Sequence, residues 1–322
     1  MRLTALENTP VDYTAHVKDD FLNACGLKKG NFQGISKELK EKLESCVKFE
    51  KSPGGSAANV CHGFANLGME SAFIGSIGND DNGRYYEEEL RKAGVIPYLE
   101  EKRGSTGVCM AFITPDKERT FGVNMGKSSS LTRWGFESWP LAITGIFHTT
   151  AYALDSMYPA VRRAMKIAKK NGAKISFDLA SVTSIQRHRS RIEYLLENYI
   201  DILFANEEEA EALTKMGAYA AAVELGKKYT VVIKLGKEGA VLRSPFERLG
   251  ESIQSYFIPA YNVKVANTNG AGDAFAAGFL YGFARGYDLE MSGKIGAFYA
   301  SRVVGEESAR LPYKISNIEE LI

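Results

Sequence analysis

From residue 143 onward the chain alternates β-rich runs with helical segments, and that order leaves few folds open. Apolar runs at Ile143 to Thr149, Lys174 to Phe177, Ile202 to Phe204 and Thr230 to Lys234 are separated by segments of helical character over Ser156 to Asn171, Arg189 to Tyr199, Glu207 to Lys215 and Ala218 to Lys227. Strands that alternate with helices need crossover connections, which build a mostly parallel sheet covered on both faces. A hairpin is expected at Gly239 to Arg243 with Ser252 to Ile258, and a last helix ends near Val304. The N-terminal part continues the theme. It has a short strand at Leu3 to Leu6, a helix capped by Ser36, a helix entered through Pro53 to Asn59, a strand at Ala72 to Ile77 and a helix from Asp80 to Ala93. The expected fold class is α/β, a doubly wound, mostly parallel sheet with helices on both faces.

One region breaks the alternation. Pro97 to Glu100, Gly107 to Ile113 and Arg119 to Val123 are three β-rich runs with no helix between them, the last two joined by the turn-like Thr114 to Glu118. We expect a small β lid from residues 97–124, with 13–17 as a further strand, set into a single domain spanning 1–322. That length suits one large domain with a substantial core.

Charge narrows the class of partner. Forty basic against thirty-nine acidic residues give a net charge of +1, so no global field argues for nucleic acid or an anionic membrane, and a small molecule is expected. The four cysteines, at 25, 46, 61 and 109, show neither CxxC nor metal-ligand spacing, which points to a reducing cytoplasm. No apolar run approaches the roughly 20 residues needed to cross a bilayer.

The chemistry is expected at Asn267 to Gly286, NTNGAGDAFAAGFLYGFARG, where small residues Gly270, Ala271 and Gly272 run into Asp273 and then into an apolar stripe of Phe275, Phe279 and Phe283. A helix N-terminus carries unpaired N–H groups and partial positive charge, and glycines let an anion come close. A carboxylate at that place would repel a bound phosphate unless it had a task such as accepting a proton. A plain glycine turn with Asp in the first helical turn fits the same residues. In open α/β sheets, ligands collect beyond the carboxyl ends of the strands, which singles out Asp178, Asn206 and Gly236 by position, although each also fits a cap or a turn.

Five motifs in order, Pro-Val-Asp12, Gly54-Gly55-Ser56-Ala57-Ala58-Asn59, Asn206-Glu207-Glu208-Glu209, Lys234-Leu235-Gly236-Lys237-Glu238-Gly239 and Asn267-Thr268-Asn269-Gly270-Ala271-Gly272-Asp273, resemble the ribokinase family of carbohydrate and nucleoside kinases, also called the phosphofructokinase-B family. The resemblance covers nearly the whole chain. It implies transfer of the γ-phosphoryl group of ATP, with Mg²⁺, to a primary hydroxyl of a sugar or nucleoside. It implies Asp273 as the base, Gly270, Ala271 and Gly272 as the anion hole, and Asp12, Gly55 and Asn59 as holders of substrate hydroxyls. On the nucleotide side it places Asn206, Glu209, Lys234, Gly236, Gly239 and Thr268, with Glu209 reaching the metal through water.

Two departures stand out: Asn267 occupies a place where the family usually has Asp, which leaves potassium activation open, and Glu7 precedes Asn8 where a Gly-Asn pair is common. Within the family the chain looks most like the adenosine-kinase-like branch, so adenosine is the first expectation for the substrate, with Phe112, Phe121 and Phe147 available either to stack on a base or to pack. A ribose- or fructose-type sugar and a non-catalytic nucleotide-binding protein are the alternatives. A Rossmann dehydrogenase fits less well, since no GxGxxG follows the first strand. The resemblance allows a monomer or a homodimer.

Overall fold

A computed structural model describes residues 1–132, 139–245 and 254–322. In chain order the first half runs β1 (Leu3–Leu6), β2 (Val11–His16), α1 (Asp19–Ala24), β3 (Phe32–Gly34), α2 (Lys37–Cys46), β4 (Glu50–Pro53), α3 (Ser56–Asn66), β5 (Ser71–Gly78), α4 (Asp81–Lys92), β6 (Val95–Lys102), β7 (Thr106–Ile113) and β8 (Arg119–Gly126). The second half runs α5 (Trp139–Ala142), β9 (Ile146–Thr150), α6 (Tyr158–Lys170), β10 (Lys174–Asp178), α7 (Val182–Asn198), β11 (Ile202–Asn206), α8 (Glu207–Thr214), α9 (Ala218–Leu225), β12 (Thr230–Lys234), β13 (Gly239–Ser244), β14 (Gln254–Pro259), α10 (Ala271–Arg285) and α11 (Leu289–Val304).

The described strands form a nine-stranded sheet of order β14-β13-β12-β11-β10-β9-β1-β5-β6 and a five-stranded sheet of order β3-β8-β7-β2-β4. In the large sheet the strands from β6 across to β12 are parallel, and β13 and β14 close it as an antiparallel hairpin. β9 is buried along its whole length, as a parallel strand covered on both faces must be. From β1 the chain first builds outward through β5 and β6, then returns to place β9 on the other side. The order therefore reverses at β1, and the crevice beyond its carboxyl end is the expected place for a ligand.

One apolar core joins the α3, α10 and α11 side of the large sheet to the small sheet, and a second lies under α6 to α9. α10 takes its position from the first. Phe275 and Phe279 are buried on its stripe, and Gly63 of α3 lets the helices approach so closely that a Cβ there would lie 2.6 Å from that of Ala277.

Three sequence expectations change. Residues 97–100 are not part of the small sheet: they belong to β6, which pairs in parallel with β5 after the α4 crossover, and Pro97 is tolerated because β6 is an edge strand. The small sheet instead recruits β3 and β4, short strands whose polar sequences carry no alternation that marks them. α7 begins at Val182 rather than Arg189, with a kink at His188 (φ −118°, ψ 20°) dividing the pattern. Residues 252 and 253 of the expected hairpin lie outside the described residues.

Candidate active site

Two helix N-termini converge on one carboxylate. α10 starts at Gly270, whose φ of 76° is the left-handed conformation that glycine adopts freely, and α3 starts at Gly55, with φ 94°. Asp273 in the first turn of α10 accepts hydrogen bonds from Ser56 Oγ at 2.6 Å and from Asn59 Nδ2 at 2.8 Å, both in the first turn of α3. Burial pushes the Asp273 carboxyl above its ordinary value. The Ser56 and Asn59 donors oppose that shift, Asp178 adds to it and Lys234 works against it. The result is a fixed, readily protonated carboxylate beside a run of helix N–H groups.

Lys234 ends β12 and reaches across β11 to Asp178 at the end of β10, with Nζ 2.8 Å from Oδ2. A Cβ at Gly272 would meet that ammonium at 3.1 Å, so the missing side chain brings the glycine loop directly against the cation. Burial works against the Lys234 charge, but Asp178 and Glu209 outweigh it and leave its pKa above the ordinary lysine value. Asn206 and Glu209 form a capping box at the start of α8: the Asn206 backbone N–H and side-chain amide donate to the two Glu209 oxygens at 2.8 and 2.9 Å, and Asn206 Oδ1 accepts from Glu209 N–H. Burial, reinforced by Asp178, raises the Glu209 pKa. Among the described residues no three His, Cys, Asp or Glu side chains form a metal cage. The donor set therefore suits a hydrated ion carried by phosphates better than one held by the protein alone.

On the other side of Asp273 lies Asp12 of β2. A Cβ at Gly54 would come within 2.5 Å of its Oδ1, so the glycine pair packs directly on this carboxylate. Burial pushes Asp12 up to about 6, with Arg310 opposing and Asp273 adding to the rise. Arg310, beyond α11, donates from Nε to Asn59 Oδ1 at 2.8 Å. Glu7 directly follows β1, 2% exposed, and its Oε2 accepts from Ala57 N–H at 2.6 Å. Burial pushes Glu7 up to about 8. The Ala57 N–H opposes this and the nearby Asp273 adds to it.

Asp12, Gly55, Asn59, Lys234 and Gly270 to Asp273 thus surround one crevice. Asn206 and Glu209 stand at its edge, tied to each other. Gly236 (φ 56°) and Gly239 (φ 122°) shape the turn between β12 and β13, while Thr268 is exposed and its carbonyl accepts from Ala271 N–H at 3.2 Å. Phe112 and Phe147 are fully buried and unavailable for stacking. The β7–β8 and β2–β7 registers put Phe121 on the same face as Asp12, beside Phe32 at 5.8 Å between ring centroids. Sequence reasoning overlooked Tyr152, which is 39% exposed and lies in the field of Glu7, Glu209, Asp178 and Asp273. Ser56 was legible inside its motif, whereas Arg310 had no local signal because its partners lie some 250 positions earlier.

The profile of the pfkB family carbohydrate kinases matches residues 20–315. A 5-dehydro-2-deoxygluconokinase from Bacillus licheniformis is 30% identical over 311 residues, covering 88% of this chain and 91% of the relative. Among solved structures, the adenosine kinase from Sinorhizobium meliloti matches with a TM-score of 0.85 at 29% identity, covering 97% of this chain and 96% of that one. A probable sugar kinase from Rhizobium etli matches with a TM-score of 0.86 at 27% identity, covering 99% and 96%. The chain is therefore a member of the pfkB, or ribokinase, family of sugar and nucleoside kinases, a phosphotransferase acting on a hydroxyl group.

Proposed function

We propose that the chain transfers the γ-phosphoryl group of ATP to the 5′-hydroxyl of adenosine or a close purine nucleoside. The observation that carries this reading is the gathering of Asp12, Gly55 and Asn59 around Asp273, with Phe121 on the Asp12 face of the small sheet against the exposed Phe32. Ribose hydroxyls need acceptors in fixed positions, and a flat base gains from stacking on exposed rings.

Asp273 takes the proton of the attacking hydroxyl: Ser56 holds its Oδ1 and Asn59 its Oδ2, and a remaining carboxylate lone pair accepts the proton. The N–H groups of Gly270 and Gly272 and the Lys234 ammonium face the charge that builds on the transferred group, while the Ala271 N–H is turned to the Thr268 carbonyl. Mg²⁺, when bound, would neutralise phosphate charge, and Glu209 would hold it through water. Asp178 keeps Lys234 in place. The small sheet acts as a lid that excludes water from the crevice. We place the enzyme in the cytoplasm, as a monomer or homodimer.

A second reading, a sugar acceptor, is supported by the sequence relative named 5-dehydro-2-deoxygluconokinase. The deciding experiment measures ATP consumption with adenosine, inosine, ribose, fructose and 5-dehydro-2-deoxygluconate at equal concentrations. A higher kcat/KM for adenosine than for every sugar is expected. Preference for a sugar would overturn the nucleoside assignment, and no turnover with any acceptor in a wider panel would overturn the active-kinase reading in favour of a non-catalytic nucleotide-binding protein.

A further inference from the structure

We propose that Arg310 is a positioning residue: it fixes the side-chain amide of Asn59, and through that amide the carboxylate of Asp273, while the segment 307–310 braces the glycine loop against the start of α3. The proposal rests on the reading of Asp273 as the base.

The argument starts from the symmetry of an amide. The oxygen and nitrogen of an Asn side chain occupy nearly the same space, so only hydrogen-bond partners decide which way the group points. Asn59 has a carboxylate on one side, Asp273 Oδ2 at 2.8 Å, and a guanidinium on the other, Arg310 Nε at 2.8 Å. An acceptor-only group faces a donor-only group across one amide. In the observed orientation both bonds form; turning the amide over sets oxygen against carboxylate and NH₂ against guanidinium. Without Arg310 the carboxylate alone selects the orientation, and Asn59 Oδ1 is released to bond elsewhere. The same guanidinium approaches the Gly54 carbonyl at 3.4 Å, so it also holds the turn that packs on Asp12.

The neighbours of Arg310 touch the other half of the site. Asn267 Nδ2 donates to the Glu307 carbonyl at 2.7 Å, and a Cβ at Gly270 would meet the Ala309 Cβ at 2.8 Å. Three residues of this short segment, Glu307, Ala309 and Arg310, therefore meet the loop before α10, the first residue of the anion hole and the first turn of α3. They form one rigid link between the base and the amide that orients it. A side chain that only filled space would not need a donor aimed at Asn59 Oδ1.

The test is Arg310→Gln, with Arg310→Lys as the conservative variant. The charged groups facing Asp273 are Asp178 of β10, Lys234 of β12, Glu7 just after β1 and Asp12 of β2; Arg310→Gln removes the charge that holds Asp12 down, Arg310→Lys keeps it, and a rise of the Asp273 titration that persists in an Asn59→Ala background would be that field rather than the amide link. We expect Arg310→Gln to lower kcat by roughly ten- to a hundredfold, the range for losing a charge-assisted hydrogen bond that orients a reacting group, with KM for ATP near the wild-type value. The acid limb of the kcat profile moves to higher pH, because Asn59, with its Oδ1 released, holds the ionised carboxylate less firmly, and Arg310→Lys recovers part of both effects. The readout that does not depend on turnover is the ¹³C titration of the Asp273 carboxyl, assigned by its loss in Asp273→Asn. Its midpoint rises in Arg310→Gln, and it does not rise further when the same change is made in an Asn59→Ala background. An unmoved Asp273 titration in folded Arg310→Gln would overturn the link. If Arg310→Gln does not fold, an unmoved titration in Arg310→Lys together with full kcat overturns it. A shifted titration in a protein that phosphorylates nothing would retain the link and reject the proposed function instead.

Discussion

Lys234 pairs with Asp178 at 2.8 Å across an intervening strand, and the same ammonium rests against the glycine loop that precedes Asp273. One cation therefore has a structural partner and a position suited to phosphoryl charge. Lys234→Met leaves Asp178, 4% exposed, without its counter-ion, and losing one partner of a buried pair costs about 3–5 kcal/mol. Urea denaturation should show a loss of that order, with turnover falling sharply. The double variant Lys234→Met/Asp178→Asn should regain much of the stability and none of the turnover. Recovery of activity in the double variant would mean that Lys234 serves structure alone.

Asp273→Asn keeps the size of the side chain and one of its two acceptors but removes the base. General-base catalysis typically contributes about 10²–10⁴-fold in rate, and kcat should drop within that range while ATP binding by calorimetry is retained. Turnover within a few-fold of wild type would remove Asp273 from the role assigned to it.

Glu7 sets a pH dependence whose sign is fixed by its burial. Its folded pKa is about 8 against a reference of 4.5, so the folded state binds this proton more tightly than the unfolded chain. Stability is therefore greatest below pH ~4.5 as far as Glu7 is concerned, and its contribution is lost as pH rises toward 8, by at most about 3–5 kcal/mol. Glu7→Gln keeps an acceptor for Ala57 N–H without the charge, and its stability between pH 5 and about 8 should fall less than that of wild type. It should also remove an alkaline loss of activity, since ionised Glu7 adds negative charge beside Asp273 and the phosphates. Parallel thermal scans at pH 6 and 8 check the first statement, and kcat/KM profiles the second.

Asn267 donates to the Glu307 carbonyl at 2.7 Å and accepts from Asn269 N–H at 2.9 Å, with Arg119 of β8 also reaching it at 3.3 Å. An amide NH₂ directed at a backbone carbonyl makes the tie that a carboxylate could make only through a cation. Wild-type activity should be flat from zero to saturating potassium, whereas Asn267→Asp should lose activity without potassium and regain it with the ion. A wild type stimulated several-fold by potassium would contradict this account.

Residue types and their spacing determined the α/β alternation, the glycine entry to α10 and Asp273 as a residue to watch, while the resemblance to a known family added Asp12, Asn59 and Lys234. These are local properties: helical and strand periodicity, a turn that needs glycine, an acid in a first helical turn. The tertiary structure alone decided which sheet a strand joins, because β6 and β7 read alike along the chain and differ only in the α4 crossover that delivers β6 to the edge of the large sheet. It alone buried Phe112 and Phe147 while leaving Tyr152 exposed. It alone set Lys234 on Asp178 and Arg310 on Asn59. Burial, and contact between residues some 56 to 251 positions apart, are created by packing, and no short-range pattern encodes them.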